Sequence, residues 1–328
     1  MKDIAQVVEI MNNMGREGIP FLFILDFDLS LPVIMPIADV NPEEIRYSIN
    51  GVTNTDIVQM KLPYKIEFES FPVSSVRYEE AFDLVQKHLR HGDSFLLNLT
   101  MPSRIKTNLS LEDIYFNTEA KYKIWYKDHF VVFSPEIFIQ TSGQKISSFP
   151  MKGTIDASIP DAENKLLTNK KELAEHFTIV DLIRNDLSMV AKNVVVDRFR
   201  YIDEVVTNRG SLLQMSSEIV GDLPENFREN IGDLIVKMLP AGSISGAPKK
   251  KTIEVIKEAE KYDRGYYTGI CGIFDGKNID SGVMIRYIEQ TSDGLVYKSG
   301  GGITFQSHPD EEYQELIDKI YIPVSLKK

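Results

Sequence analysis

The chain has a single cysteine, Cys271, in 328 residues, so no intrachain disulfide can form. Set in Ile270-Cys271-Gly272-Ile273, it reads as part of a packed strand rather than as a reactive thiol. Positive charge is also short. The 37 Lys and Arg against 48 Asp and Glu leave a net charge of −11, which argues against a general binder of nucleic acid or anionic membrane. An anionic small molecule fits only where a local site reverses that field. The longest apolar run, Ile19 to Leu25, is stopped by Asp26 well short of a membrane span. The start, MKDIAQVVEIMNN, lacks the charged-then-apolar layout of a signal peptide. A reducing cytoplasm is the expected compartment. No linker-like stretch rich in Ser, Gly and Pro and no repeat of fixed period occurs, so one intertwined domain over residues 1–328 is expected. Neither GxxxxGK[ST] nor GxGxxG appears in the right context, so a nucleotide cofactor gains no support.

The composition that remains, 43% apolar and 26% charged, is that of a globular protein. Short runs rich in Phe, Tyr, Ile and Val predict strands at 21–27, 95–100, 121–133, 137–141, 193–200, 269–274 and 282–289. Leu173, Phe177, Val180, Arg184, Leu187 and Val190 step at helical spacing, and Glu172, Glu175 and Asp186 lie off that stripe. Pro240 closes a helical run from Ile231. The segment Gly242–Lys249 (GSISGAPK) then predicts a flexible, donor-rich loop that opens a helix with Pro248 in its first turn and an end near Tyr262. Ser307 and Asp310, with Pro309 between them, predict a last helix through Tyr313, Leu316, Ile317 and Ile320. Strands and helices do not alternate regularly, so the expected class is α+β, with a mainly antiparallel core and helices outside, rather than a doubly wound parallel sheet.

Several segments carry candidate chemistry. Gly300-Gly301-Gly302 after a strand makes either a turn or a nest of N–H donors for a carboxylate or phosphate. The GSISGAPK loop is either a capped interhelical turn or an anion site at a helix start. Glu312 and Glu315 share a helical face and, with Glu175, either hold Mg²⁺ or form a solvated surface. Lys152, between Pro150 and Gly153, sits on a short loop. A free lysine is only about 0.1% neutral near pH 7.4, so attack on carbon requires a cation or burial to lower its pKa. Asp26 and Asp28 at the end of an apolar strand form a D-x-D that suits a phosphohydrolase nucleophile or, more simply, a turn.

Read in order, Ser134-Pro135-Glu136, PMKGT (150–154), Val180-Asp181-Leu182-Ile183-Arg184-Asn185-Asp186, GSISGAPK, Val283-Met284-Ile285-Arg286, GGGIT and Glu312-Tyr313-Gln314-Glu315 form one series. It resembles the chorismate-utilising enzymes, which include component I of anthranilate synthase, isochorismate and salicylate synthases, and component I of aminodeoxychorismate synthase. The match runs from about Tyr78 to Tyr321, and residues 1–70 match loosely. The resemblance implies the family's large mixed β core. Relatives that add water to chorismate carry a lysine where this chain has Leu96, and anthranilate synthases resemble PIAGT where it has PMKGT. Lys152 therefore points to the aminodeoxychorismate branch, in which the lysine attacks ring C2 as the C4 hydroxyl leaves and ammonia then displaces it at C4. The alternative is anthranilate synthase component I.

The same resemblance assigns roles. Glu136 would be the general acid, and Glu175, Glu312 and Glu315 would hold Mg²⁺ against the ring carboxylate. Arg286 would pair with the enolpyruvyl carboxylate. Gly301 and Gly302, with Ser243 and Gly246, would offer donors, and Thr154, Tyr267 and Lys319 would line the same pocket. Gln214 stands where several relatives have a histidine, so it can hydrogen-bond but cannot pass a proton at neutral pH. Cys271 lacks the surroundings of a glutaminase nucleophile, so ammonia would come from a separate glutamine amidotransferase chain or from solution.

Overall fold

In the strand Phe21–Leu25 all five residues are buried, which requires cover on both faces. Phe21, Phe23 and Leu25 enter a core beneath helices, whereas Leu22 and Ile24 enter a second core on the opposite face. Phe130–Ser134 behaves alike: Phe130 and Val132 join that second core, and Val131 and Phe133 face a third. The middle core is thus shared by two sheets packed face to face, and each outer core lies under helices.

The computed structural model describes residues 4–56, 65–207 and 210–323. Its two sheets have nine strands each. The first runs Met151–Asp156, Gly210–Asp222, Lys145–Ser148, Ile137–Ser142, Ile279–Val283, Ile270–Phe274, Phe21–Leu25, Val33–Pro36, with Lys192–Thr207 also paired to Gly210–Asp222. The second runs Gly246–Ala247, Leu96–Thr107, Gly294–Ile303, Tyr287–Thr291, Phe130–Ser134, Tyr122–Tyr126, Ile45–Ile49, Val52–Thr53, with Phe68–Phe71 on Leu96–Thr107. Every strand pairing among the described residues is antiparallel. Helices Ile4–Glu17, Lys170–Ser188 and Ile231–Met238 cover the first sheet, and Ser75–His91, Leu111–Asn117, Lys249–Glu260 and Pro309–Asp318 cover the second. The α+β expectation of an antiparallel core with outer helices therefore holds. No described helix is long and apolar enough to cross a membrane.

Several expected elements are corrected. The run 121–133 is two strands, broken by a turn in which Asp128 takes φ +57°. The run 193–200 is the start of a long hairpin, Lys192–Thr207 with Gly210–Asp222. On the helix Lys170–Ser188 the buried face is His176, Ile179, Val180, Ile183 and Leu187, while Phe177 is 53% exposed. The apolar stripe misplaced this face because a histidine, whose Nε2 meets Ser217 Oγ at 2.7 Å, occupies an interior position. Gly242–Ser245 is a helical turn rather than a flexible loop, and Pro248 is the residue before the helix Lys249–Glu260. The last helix is preceded by His308, and Ser307 instead receives Thr304 N at 3.2 Å.

The run 282–289 is divided between the sheets. The chain leaves the first sheet at Val283, turns through Arg286 at φ +54°, and joins the second at Tyr287. A second crossing lies beside it: Phe130–Ser134 belongs to the second sheet, Ile137–Ser142 to the first, and Pro135 and Glu136 span the gap. The crossings are tied together by Phe133 N to Arg286 O and Val283 N to Glu136 O, both 3.1 Å.

Candidate active site

These two crossings open into a cleft of about 590 Å³. Glu136 and Arg286 rise from its base, the edge strand Met151–Asp156 brings Lys152 from the first sheet, and Gly300–Gly302 form the wall belonging to the second. Lys152 is 26% exposed at its side chain, and its Nζ stands 3.5 Å from Glu175 Oε2. A Cβ built on Gly302 would lie 3.4 Å from Leu96 Cδ1 and 3.8 Å from Lys152 Nζ, so the amine and this hydrocarbon stand over the same glycine. Burial works to lower the lysine pKa, but Glu175, Glu315, Glu136 and Glu172 outweigh it and hold the value above that of a free lysine. The lowering that an attack on carbon requires is therefore not supplied by the protein's own charges.

Glu136 has the opposite balance. Burial raises its pKa, and neither the Ser243 hydroxyl, which donates to Oε1 at 2.6 Å, nor Lys152, Lys319 and Arg286 restores the ordinary value. A carboxyl whose pKa is raised in this way keeps its proton to higher pH than a free one, as a proton donor into the cleft must. Arg286 sits 5.3 Å from the centre of the Tyr321 ring. Lys319 donates to Gly300 O at 2.7 Å and to Glu315 Oε1 at 2.6 Å; burial, helped by Lys152, keeps its pKa below the free value.

Glu312 and Glu315 converge over Gly301, where an added Cβ would meet Glu315 Oε1 at 3.2 Å and Glu312 Oε2 at 3.5 Å. Glu175 lies across the cleft, held by Lys152. Carboxylate oxygens completed by water are a donor set that suits Mg²⁺, and the bare backbone at Gly301 leaves room beside two of them. By chemistry the residues fit that ion. They do not make a finished cage, because among the described residues no three His, Cys, Asp or Glu side chains stand together at coordinating separation.

Of the remaining residues singled out in the sequence, Thr154, Gln214, Ser243 and Tyr267 line the cleft. Thr154 and Gln214 are direct cross-strand neighbours. Glu312 lies behind the glycine wall, buried to 2% exposure. Gly246 is not in the cleft: it takes φ +120°, pairs with Leu97, and its absent Cβ would be 1.9 Å from Leu96 O, so it is a glycine for close backbone approach. Asp26 is buried and accepts from Ser30 N, Ser30 Oγ and Leu31 N, which is a strand-end turn and no nucleophile. Cys271 is fully buried, which pushes its thiol pKa upward.

Asn98, Glu172, Thr268 and Lys298 also line the cleft and escaped the sequence reading as site residues. The strand alternation 96, 98, 100 could have found Asn98, whereas Thr268 and Lys298 are placed by long-range contacts that no local pattern announces. His176, next to Glu175, is buried with a pKa lowered to about 4, chiefly by burial, so it stays neutral at physiological pH.

Comparison with known proteins accords with this geometry. Residues 44–325 match the family described as chorismate binding enzyme. The chain belongs to that family. A PabA-like protein of Haemophilus influenzae is 50% identical over 317 residues, covering 97% of this chain and 96% of the relative. Aminodeoxychorismate synthase component 1 of Bacillus subtilis is 28% identical over 265 residues, covering 76% of this chain and 55% of the relative. Among solved structures, anthranilate synthase component I of Streptococcus pneumoniae aligns with a TM-score of 0.64 at 25% identity, covering 77% of this chain and 58% of that one. This chorismate binding enzyme thus spans little more than half the length of the last two. As a family member it is an enzyme, and the site to account for its chemistry is the cleft between the crossings.

Proposed function

We propose that the chain is the synthase component of an aminodeoxychorismate synthase, which aminates chorismate at C4 with ammonia to give 4-amino-4-deoxychorismate, a precursor of 4-aminobenzoate and folate. The observation that carries this reading is the primary amine of Lys152 beside Leu96 over the Gly302 strand, with Glu136 in the same cleft. Leucine has no group to activate water, so the nucleophile at that wall is the amine.

In the proposed reaction the Lys152 amine forms a bond to ring C2, the ring double bonds shift, and the C4–O bond breaks as Glu136 gives its proton to the departing hydroxyl, which leaves as water. Ammonia then bonds to C4, the double bonds return and the C2–N bond breaks, freeing the lysine. Arg286 offers its planar fork to the enolpyruvyl carboxylate, and the Gly301 and Gly302 backbone lets the ring approach without a side chain in the way. Glu175, Glu312 and Glu315 would hold a Mg²⁺ ion, which when bound would offset the ring carboxylate's charge and the carboxylate charges that keep Lys152 protonated. Cys271 is buried in a strand, so the reading calls for a separate glutamine amidotransferase or free ammonia as nitrogen donor.

The test is mass analysis of the product from purified protein with chorismate, Mg²⁺ and an ammonium salt. Aminodeoxychorismate is expected, and Lys152→Ala is expected to abolish its formation. Fluorescent anthranilate with release of pyruvate would establish the anthranilate synthase reading instead. Glu315→Gln is expected to weaken Mg²⁺ binding measured by calorimetry in the presence of chorismate; an unchanged titration would misplace the metal.

A further inference from the structure

Arg264 is 2% exposed, and all five N–H groups of its guanidinium are used. Nε and Nη2 grip the two Glu260 oxygens at 2.9 and 2.6 Å, Nη2 also reaches Asn98 O at 2.7 Å, and Nη1 reaches Ile244 O at 3.1 Å and Thr268 Oγ1 at 3.2 Å. Glu260 Oε1 accepts in turn from Thr100 N at 2.8 Å and Thr100 Oγ1 at 2.9 Å. Arg264 itself is not in the cleft, but Asn98, Ile244 and Thr268 all line it, on three separate segments. A pair serving stability alone is replaceable by apolar groups of similar size. This one directs three N–H groups away from its carboxylate and onto the cleft walls.

We propose that Arg264 is a positioning residue for the acid of the cleft: by holding Ile244 O it fixes the turn Gly242–Ser245, and with it the 2.6 Å hydrogen bond from Ser243 Oγ to Glu136 Oε1. The inference rests on the reading of Glu136 as proton donor. The Ser243 bond favours the Glu136 carboxylate, so slackening the turn leaves the acid protonated to higher pH.

The experiment is a double-mutant cycle on the full chain, read as chorismate consumption across pH. Arg264→Lys keeps a cation beside Glu260 but loses the fork. It is expected to lower kcat by about 10- to 100-fold with a much smaller change in KM, and to move the alkaline limb of the kcat profile upward. Ser243→Ala is expected to move the limb the same way, and the double variant to show the limb of Ser243→Ala alone. Glu260→Gln, which loosens the guanidinium while keeping its shape partner, is read identically should Arg264→Lys not fold. A limb at the wild-type pH in the folded variant, or additive shifts in the cycle, overturns the proposal. Because the readout is substrate consumption, an unexpected product would fault the amination reading and leave this inference standing.

Discussion

Glu136 is a carboxyl under opposed influences, with burial raising its pKa against the pull of Ser243, Lys152, Lys319 and Arg286. A group raised above its unfolded value keeps its proton in the folded state after the unfolded carboxyl, near pH ~4.3, has lost it. Stability therefore falls as pH climbs from that value through the folded pKa. Glu136→Gln is expected to leave melting unchanged near pH 4, to raise the melting temperature at pH 8, and to lower kcat by about 10²- to 10⁴-fold. A variant that melts lower than the parent at pH 8 would contradict the assigned balance of burial and charge. At this scale the sequence was informative where one residue type sits in an ordered motif, as with Lys152, Glu136 and Arg286. It was silent about Arg264, whose partner Asn98 O is 166 positions away, and about the upward pull that Glu175, Glu315, Glu136 and Glu172 together exert on the Lys152 pKa.

The helix Lys170–Ser188 and the turn Gly242–Ser245 meet through one carboxylate. Asp186 accepts from Gly242 N at 2.9 Å and from Lys249 Nζ at 2.8 Å, and Lys249 also donates to Met238 O at 2.7 Å. The acidic end of one sequence motif is thus the partner of the lysine that ends the other. Asp186→Ala is expected to cost about 1–3 kcal/mol in urea unfolding, because a mostly buried ammonium and an N–H lose their acceptor. Gly246→Ala is expected to cost at least as much, since its Cβ has no space beside Leu96 O and the φ of +120° is strained for any side chain; a melt within a degree of the parent would show that the strand had simply moved aside. Element type was readable from periodicity. Helix rotation and the split of 282–289 were not, because a buried histidine and a change of sheet leave no mark on an apolar pattern.

Residues 4–43 lie outside the matched family region, yet Phe21–Leu25 is an interior strand, flanked by Ile270–Phe274 and Val33–Pro36. The helix before it crosses the helix Ile231–Met238 so closely that a Cβ on Gly232 would lie 2.4 Å from Val8 O. Removing residues 1–43 is therefore expected to leave an insoluble or molten chain, and the intact chain to unfold in one cooperative transition by circular dichroism and fluorescence alike. A folded, active truncation would show that the first sheet tolerates losing two adjacent strands.

The paired passages through Pro135-Glu136 and Met284–Arg286 bear on how such an enzyme measures its substrate. Because each is pinned to the other's flank, Glu136 and the Arg286 guanidinium are tied together by backbone hydrogen bonds rather than through any outer helix. On the proposed reading, a ring whose carboxylate and leaving hydroxyl are spaced differently from chorismate's is expected to reach one of these two groups but not both.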